Sequence, residues 1–340
     1  MRAWRSWQRG GRMLCATVVL SGCASESTAP RSGVERPEDV VFVTEDLPRF
    51  WAAYDAGGRE GSEAAFQARY LDSASAGLRE MASKRSITAA SLASLMLRAP
   101  RYFAALRAEG PLLHAGHPLL SHLRANFRRV EQLFPDATYP PVTFLMGRFT
   151  NGGTIGERGL LIALEFHGAD VRAPTDELSA FGRANQLSLS VDLPAMVAHE
   201  HAHTMQVALQ TTAANEGSSL LARSLSEGVA EFVADLSAGR PLFRTRYAAW
   251  QSREAEFWSA FRAERTSPDV SRWLFNQVRA TPEWPGDLGY FIGYRIAQAY
   301  FARATNAEAA LRTLLATRDA EAILRESGYD GSGPPIPLTP

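Results

Sequence analysis

The spacing of apolar residues changes twice along this chain. From about 62 to 133 its period is helical: Phe66, Tyr70 and Leu71 share a face, as do Leu92, Leu95 and Met96, and Leu113 to Leu123 continues the pattern in pieces. Pro100, Gly110-Pro111 and Gly116 interrupt the run. Ahead of it, Thr44-Glu45-Asp46-Leu47 predicts a helix start with Thr44 as N-cap, and Phe50, Trp51 and Tyr54 supply an aromatic face for core packing. The texture shifts at Tyr139-Pro140-Pro141. Val142–Met146 and Gly159–Leu164 predict strands, Asn151-Gly152-Gly153 a turn, and the alternating Leu187–Val191 a third strand. After Asp192 the pattern is helical again to about Ser327, and no internal repeat interrupts it. The expected fold is helix-rich α+β: a small sheet, then a helical C-terminal half.

Two of the later helices carry polar residues at informative positions. Pro194 fits a first turn with Asp192 as N-cap, and the helix then runs into His199-Glu200-His201-Ala202-His203. A second helix is expected from Ser218 to Ser237, after the turn Ala213–Gly217. Its apolar face carries Leu221, Leu225, Phe232 and Leu236, and Glu227, Glu231 and Asp235 repeat every four residues as an acidic stripe.

At about 100° per residue, His199 and His203 stand roughly 40° apart on one helix face, so both imidazoles can reach one ion. Glu200, about 100° round, is placed to hold an attacking water as a general base rather than to ligate. His201 points about 200° from His199 and is expected to be a bystander. A third ligand must come from a packed element, and the acidic stripe offers Glu227 or Glu231. His114, His117 and His122 have no acidic or thiol partner at ligand spacing and read as surface or capping residues.

The chain has 340 residues and no net formal charge, so nothing in its global electrostatics suggests a nucleic-acid partner, and none is expected. Lys84 is the only lysine. Arg2, Arg5, Arg9 and Arg12 precede the apolar run Met13 to Leu20, which ends in Leu20-Ser21-Gly22-Cys23. This resembles a bacterial secretory signal with a lipobox. The resemblance implies cleavage before Cys23, lipid on its sulfur, and a cell-envelope location, with Ala24 pointing to the outer membrane facing the periplasm. Cys15 would be lost with the signal, leaving no disulfide. The expected organisation is a signal peptide at 1–22, a flexible tether at 23–38 and an N-terminal helical subdomain at 39–135. A metallopeptidase core at 136–330 and an irregular tail at 331–340 complete it.

Ser226-Glu227-Gly228-Val229-Ala230-Glu231-Phe232 resembles the Glu-Gly-x-Ala segment downstream of HExxH in gluzincin peptidases. That resemblance implies one Zn²⁺ held by His199, His203 and Glu227, with Glu231 as an acid orienting a ligand histidine. Gly228 supports Glu227, because a missing side chain lets the two helices approach closely. A narrower resemblance spans most of the mature chain, to the predicted zinc-dependent proteases of domain of unknown function 2268, and more distantly to gliding-motility lipoproteins. It is carried by Thr44-Glu45-Asp46, Phe50-Trp51 and Tyr54-Asp55, then Gly147-Arg148-Phe149, Gly152-Gly153-Thr154 and Gly159–Glu165. The HExxH segment, Glu227-Gly228, Gly289–Tyr294 and Glu326–Tyr329 complete it.

Hydrolysis of a peptide or protein substrate by a Glu200-activated water is the expected activity, with Tyr290, or else Tyr294, assisting at the oxyanion as in aminopeptidase-type gluzincins. The resemblance also implies an edge strand that pairs with substrate, for which Leu160–Leu164 is the candidate. Glu165 and His167 at its end read as solvated loop-end groups or cleft residues, and Arg295 as half of a structural ion pair. The competing class is an envelope lipoprotein with a binding or assembly role and structural zinc or none; an intact Glu200 argues against it, since a structural site needs no base. A zinc hydrolase acting outside peptides is the third reading.

Overall fold

The computed structural model describes residues 33–109, 112–208, 218–238 and 243–336. The signal-like segment, Cys23, most of the tether, the Gly110-Pro111 break, the Ala213–Gly217 turn and the end of the tail lie outside them. The chain opens with β1 (Phe42–Val43), α1 (Asp46–Asp55), α2 (Glu63–Phe66), α3 (Ala76–Arg85), α4 (Ala89–Arg98), α5 (Pro100–Ala108) and α6 (Pro118–Leu133). Three strands follow: β2 (Val142–Leu145), β3 (Gly153–Gly156) and β4 (Gly159–Ala163). The remainder is helical: α7 (Ala180–Ala184), α8 (Asp192–Ala208), α9 (Leu220–Ala238), α10 (Arg244–Trp250), α11 (Glu254–Glu264), α12 (Leu288–Arg303), α13 (Ala307–Ala316) and α14 (Ala320–Ser327). This is the helix-rich α+β arrangement the hydrophobic period predicts. Among the described residues no helix is long and apolar enough to cross a membrane.

Local chemistry starts the helices. The Ser75 hydroxyl caps α3, Thr88 and Ser91 form a reciprocal capping box at α4, and Asn306 and Asp319 cap α13 and α14. His117 is a capping histidine as expected: its Nδ1 accepts from the N–H of Leu119, just before Pro118 opens α6. Thr44 is not the N-cap of α1. It is buried, Glu45 holds that position, and the Thr44 carbonyl rather than its hydroxyl accepts from Leu47.

The sheet runs β1-β2-β4-β3, with β1, β2 and β4 parallel and β3 antiparallel to β4. Two expectations change here. The candidate edge strand is β4, and it is internal, paired on both sides; the edge is β3, which starts at the last residue of the expected Asn151-Gly152-Gly153 turn and has only two strand-forming residues between Gly153 and Gly156. Leu187–Val191 forms no strand. Leu187 exchanges single backbone bonds with Phe166 and Ala169, and Ser188 N–H then donates to Asp192 at the start of α8.

Side-chain alternation gives the sheet two faces. Thr143 faces α3, where Gly77 allows contact: a Cβ there would stand 2.3 Å from Thr143 Oγ1. Gly153, Ile162 and Phe144 share the opposite face, on which α8 lies, with Gly152 and Gly153 against Met196 and Glu200. Phe42 and Phe127 extend that side to His201, which is wholly buried, stacked on Tyr139, and donates from Nε2 to the Thr138 carbonyl at 2.8 Å. His201 is thus the bystander its position predicts.

One hydrophobic core extends from Val40 to Ile336. Its tightest crossing joins α9 and α12. A Cβ on Gly228 would lie 2.0 Å from Tyr294 N, and one on Gly293 1.7 Å from Ser224 O. The close approach at Gly228 is therefore with α12, not with the HExxH helix as expected. Beyond it, Arg295 is wholly buried in an ion pair with Glu254 at 2.7 Å, and Tyr329 donates to the same carboxylate. That pair anchors the C-terminal segment to α11 and α12.

Candidate metal centre

Helices α8 and α9 lie against each other and present their polar positions to a shared cleft. His199 Nε2 and His203 Nε2 are 3.0 Å apart, and Glu227 Oε2 is 3.3 and 3.2 Å from them. A tetrahedral ion with bonds of about 2.0–2.1 Å would hold its ligand atoms roughly 3.3 Å from one another. Two imidazole nitrogens and one carboxylate oxygen at this spacing suit a divalent metal, and all three side chains keep 13–18% exposure. The site is therefore open to solvent on one side.

Glu227 rather than Glu231 joins the histidines. One turn along α9, Glu231 is buried and accepts from Tyr247 Oη. The third acid of the stripe, Asp235, accepts from Tyr294 Oη at 2.9 Å and from Phe243 N–H at 3.0 Å. The stripe thus divides its work: one acid at the metal cluster and two that hold aromatic scaffolding. Phe243, placed by Asp235, packs against the His199 ring.

The expected orienting acid is also replaced. His203 Nδ1 is 2.7 Å from Gln206 Oε1, which can only accept, so Nδ1 carries a proton and Nε2 is the nitrogen left to bind a metal. The Gln206 amide in turn donates to the Ser226 carbonyl at 2.9 Å, and the Ser226 hydroxyl donates back to Oε1 at 3.2 Å. Gln206 therefore ties the helix bearing two donors to the residue before the third. Its position three residues after His203 was a legible signal that sequence reasoning passed over. His199 Nδ1 has no hydrogen-bond partner, so Glu231 does not orient it; its ring is held by packing against Phe243 and Tyr290.

Glu200 is 8% exposed and lies against β3, where a Cβ on Gly153 would come within 2.9 Å of its Oε1. Burial raises its pKa above the usual carboxylate value, against the opposing pull of His199 and His203. In the cluster, burial disfavours charge on His203 and Glu227, but their mutual attraction prevails. His203 is pushed up to about 9 and the Glu227 carboxyl is held well below its ordinary value.

The two candidate tyrosines separate. Tyr290, in the first turn of α12, sets its ring 6.2 Å from that of His199 and is edge-on to Phe275. Tyr294 is buried with its hydroxyl on Asp235. Glu165 and His167 are neither solvated nor in the cleft: both are fully buried, and the Glu165 carboxylate accepts from Gly147 and Phe149 N–H at 2.7 and 2.9 Å. Glu165 fixes the loop that leads into β3, with Phe149 at φ +58°. That role was hidden because the partners are backbone groups.

The cluster sits inside a recognised region. Residues 163–325 match the family described as Predicted Zn-dependent protease (DUF2268). The match contains His199, Glu200, His203, Glu227 and Tyr290, and leaves β1, β2, β3 and the helices before them outside. No curated protein and no solved structure matches the chain. The family's description and the three-donor cluster agree on a zinc-dependent protease as the broad class.

Proposed function

We propose that this protein is a zinc peptidase that cleaves peptide or protein substrates with Glu200 as general base. The observation that carries the proposal is the convergence of His199 Nε2, His203 Nε2 and Glu227 Oε2 within 3.0–3.3 Å of one another, one residue from a buried carboxylate beside an open strand edge. These three residues would hold a single Zn²⁺, which when bound supplies Lewis acidity to the attacking water and to the carbonyl oxygen.

The residues of the chain do the rest. Gln206 keeps the His203 tautomer that leaves Nε2 free. Glu200, its basicity raised by burial, takes a proton from the attacking water and passes it to the leaving amine. Tyr290 donates to the oxyanion from the flank of His199. Positioning falls to β3. Ala163 N–H donates to Gly152 O, and ladder bonds in an antiparallel pair alternate, so Gly153 O and the N–H and C=O of Ile155 face the unpaired edge. An extended peptide pairing there runs past Glu200, against which Gly153 packs.

The lipobox-like end supports a place in the cell envelope, lipid-anchored through Cys23 and facing the periplasm, where the substrate would be met. Metabolic labelling with a fatty acid, lost in Cys23→Ser, tests that part. The catalytic part is tested by zinc stoichiometry and peptide hydrolysis in wild type and Glu200→Gln, with zinc retained and hydrolysis lost in the variant.

A further inference from the structure

Arg223 lies on α9 one turn before Glu227, on the same face of the helix. A carboxylate four residues on is the natural ion-pair partner of an arginine in a helix, but Glu227 turns to His199 and His203 instead. Among the described residues the Arg223 guanidinium has no ion pair and no hydrogen bond; it stands over the ring of Phe275, 5.6 Å from the centroid. The residue is half-buried, and none of its nitrogens is sealed from solvent. Phe275 links that guanidinium to the metal centre. Its ring is edge-on to Tyr290 at 5.9 Å, and the Tyr290 ring is 6.2 Å from that of His199. Arg223, Phe275, Tyr290 and His199, all partly exposed, therefore form one continuous wall beside the three metal donors. Phe275 is also held in the left-handed backbone region, at φ +56°, which is unfavourable for a bulky side chain. Its buried neighbours impose this: Leu274 N–H donates to the Val270 carbonyl at 2.9 Å, Asn276 N–H to Asp287 Oδ1 at 3.2 Å, and Asp287 N–H to Asn276 Oδ1 at 2.7 Å. The ring is thus fixed in place as a platform under Arg223.

Stacking on an aromatic ring occupies a face of the guanidinium and leaves its N–H donors, which lie in the plane, uncommitted. A planar carboxylate that accepts two of them in parallel matches that fork. Four residues along a helix set Arg223 about 6 Å from Glu227 in the axial direction, and an extended peptide advances about 3.3 Å per residue, so the two positions are about two peptide residues apart. Resting on the peptidase reading above, we infer that Arg223 recognises a substrate carboxylate about two residues from the scissile bond, with Phe275 as the platform that holds its guanidinium. The carboxylate is either an acidic side chain or the peptide's own C-terminus. Arg223 acts on specificity only, since the metal donors and Glu200 are complete without it.

The test is binding, so that it does not depend on turnover. Zinc-loaded full-length Glu200→Gln protein is titrated with labelled hexapeptides carrying one Glu at each position in turn, with the Gln isosteres, each as C-terminal acid and as amide. At least one anionic peptide should bind about tenfold or more tightly than its neutral counterpart, the scale of a charge-assisted hydrogen bond. A preference for Glu over Gln identifies the side chain, and a preference for acid over amide identifies the terminus. Arg223→Gln in the same background should reduce that ratio to less than about threefold, with the melting curve, the zinc content and the affinity for neutral peptides retained. If Arg223→Gln is destabilised, Arg223→Lys, which keeps the charge and loses the planar fork, should still lower the ratio. Equal affinities across all peptides, or a preference that survives Arg223→Gln unchanged, would overturn the inference. Wild-type protein that hydrolyses these peptides without any preference for the anionic ones also overturns it and leaves the peptidase reading standing. A binding preference lost in Arg223→Gln, in a protein whose wild type hydrolyses none of the peptides, contradicts the peptidase reading and leaves the carboxylate site standing.

Discussion

Gln206 Oε1 accepts the Nδ1 proton of His203 at 2.7 Å, while the other end of the same amide donates to the carbonyl preceding Glu227. One side chain thereby sets the tautomer of one metal donor and the distance to another. Gln206→Ala removes both functions. Partners of this kind are worth about 10–100-fold in metal affinity. Competitive chelator titration should show zinc held more weakly by that factor in Gln206→Ala, with Glu231→Gln affecting it less.

The tyrosines are expected to separate by kind of effect. Tyr290→Phe should lower kcat by about a hundredfold with little change in KM or zinc content, as for loss of one oxyanion donor. Tyr294→Phe removes one of the donors to buried Asp235, so it should cost about 1–3 kcal/mol of stability in a denaturant titration. The reverse pattern would reassign the assisting residue.

Gly228 offers a packing test. A methyl group there would meet backbone atoms of Gly293 and Tyr294 at 2.0–2.5 Å, which no rotamer change relieves. Gly228→Ala should destabilise by about 3 kcal/mol, seen as a lower urea midpoint. Zinc affinity should fall with it if α9 shifts to relieve the clash.

The buried histidines set the acid limit. Burial lowers His201 to about 4 and His167 to about 4, below the unfolded value of about 6.5. A folded-state pKa below the unfolded one favours the neutral ring, so the stability from each is complete above pH 6.5 and is lost as pH falls toward 4, on the order of 3 kcal/mol apiece. His201→Phe, measured without metal, should be less stable at pH 7 because the Thr138 carbonyl loses its donor, yet should lose less stability between pH 7 and 4.5 than wild type.

Much of the centre was legible from spacing alone. The interval from His199 to His203 fixes one helix face, and the Glu-Gly pair at 227–228 sits where a second helix can meet it. What spacing could not convey was the other side of each contact. Gly228 signals a close approach, but only three dimensions show that its partner is α12. Glu165 and His167 follow a strand and look like loop ends, yet the fold closes over them. β3 has too few β-branched residues between its glycines to register as a strand, whereas Leu187–Val191 alternates and still pairs through one residue only. Two of the three acids on α9 serve tyrosines 16 and 59 residues away and an amide beyond the end of the helix, which no local pattern encodes.

The central claim is that His199, His203 and Glu227 hold a zinc whose chemistry depends on Glu200. Peptide hydrolysis by metal-quantified wild type and Glu200→Gln, side by side, tests it most directly. The account predicts one zinc per chain in both proteins, with hydrolysis in wild type reduced by a thousandfold or more in the variant, on the order expected for a lost general base. A Glu200→Gln protein as active as wild type, or a wild-type protein that binds no zinc, would contradict it.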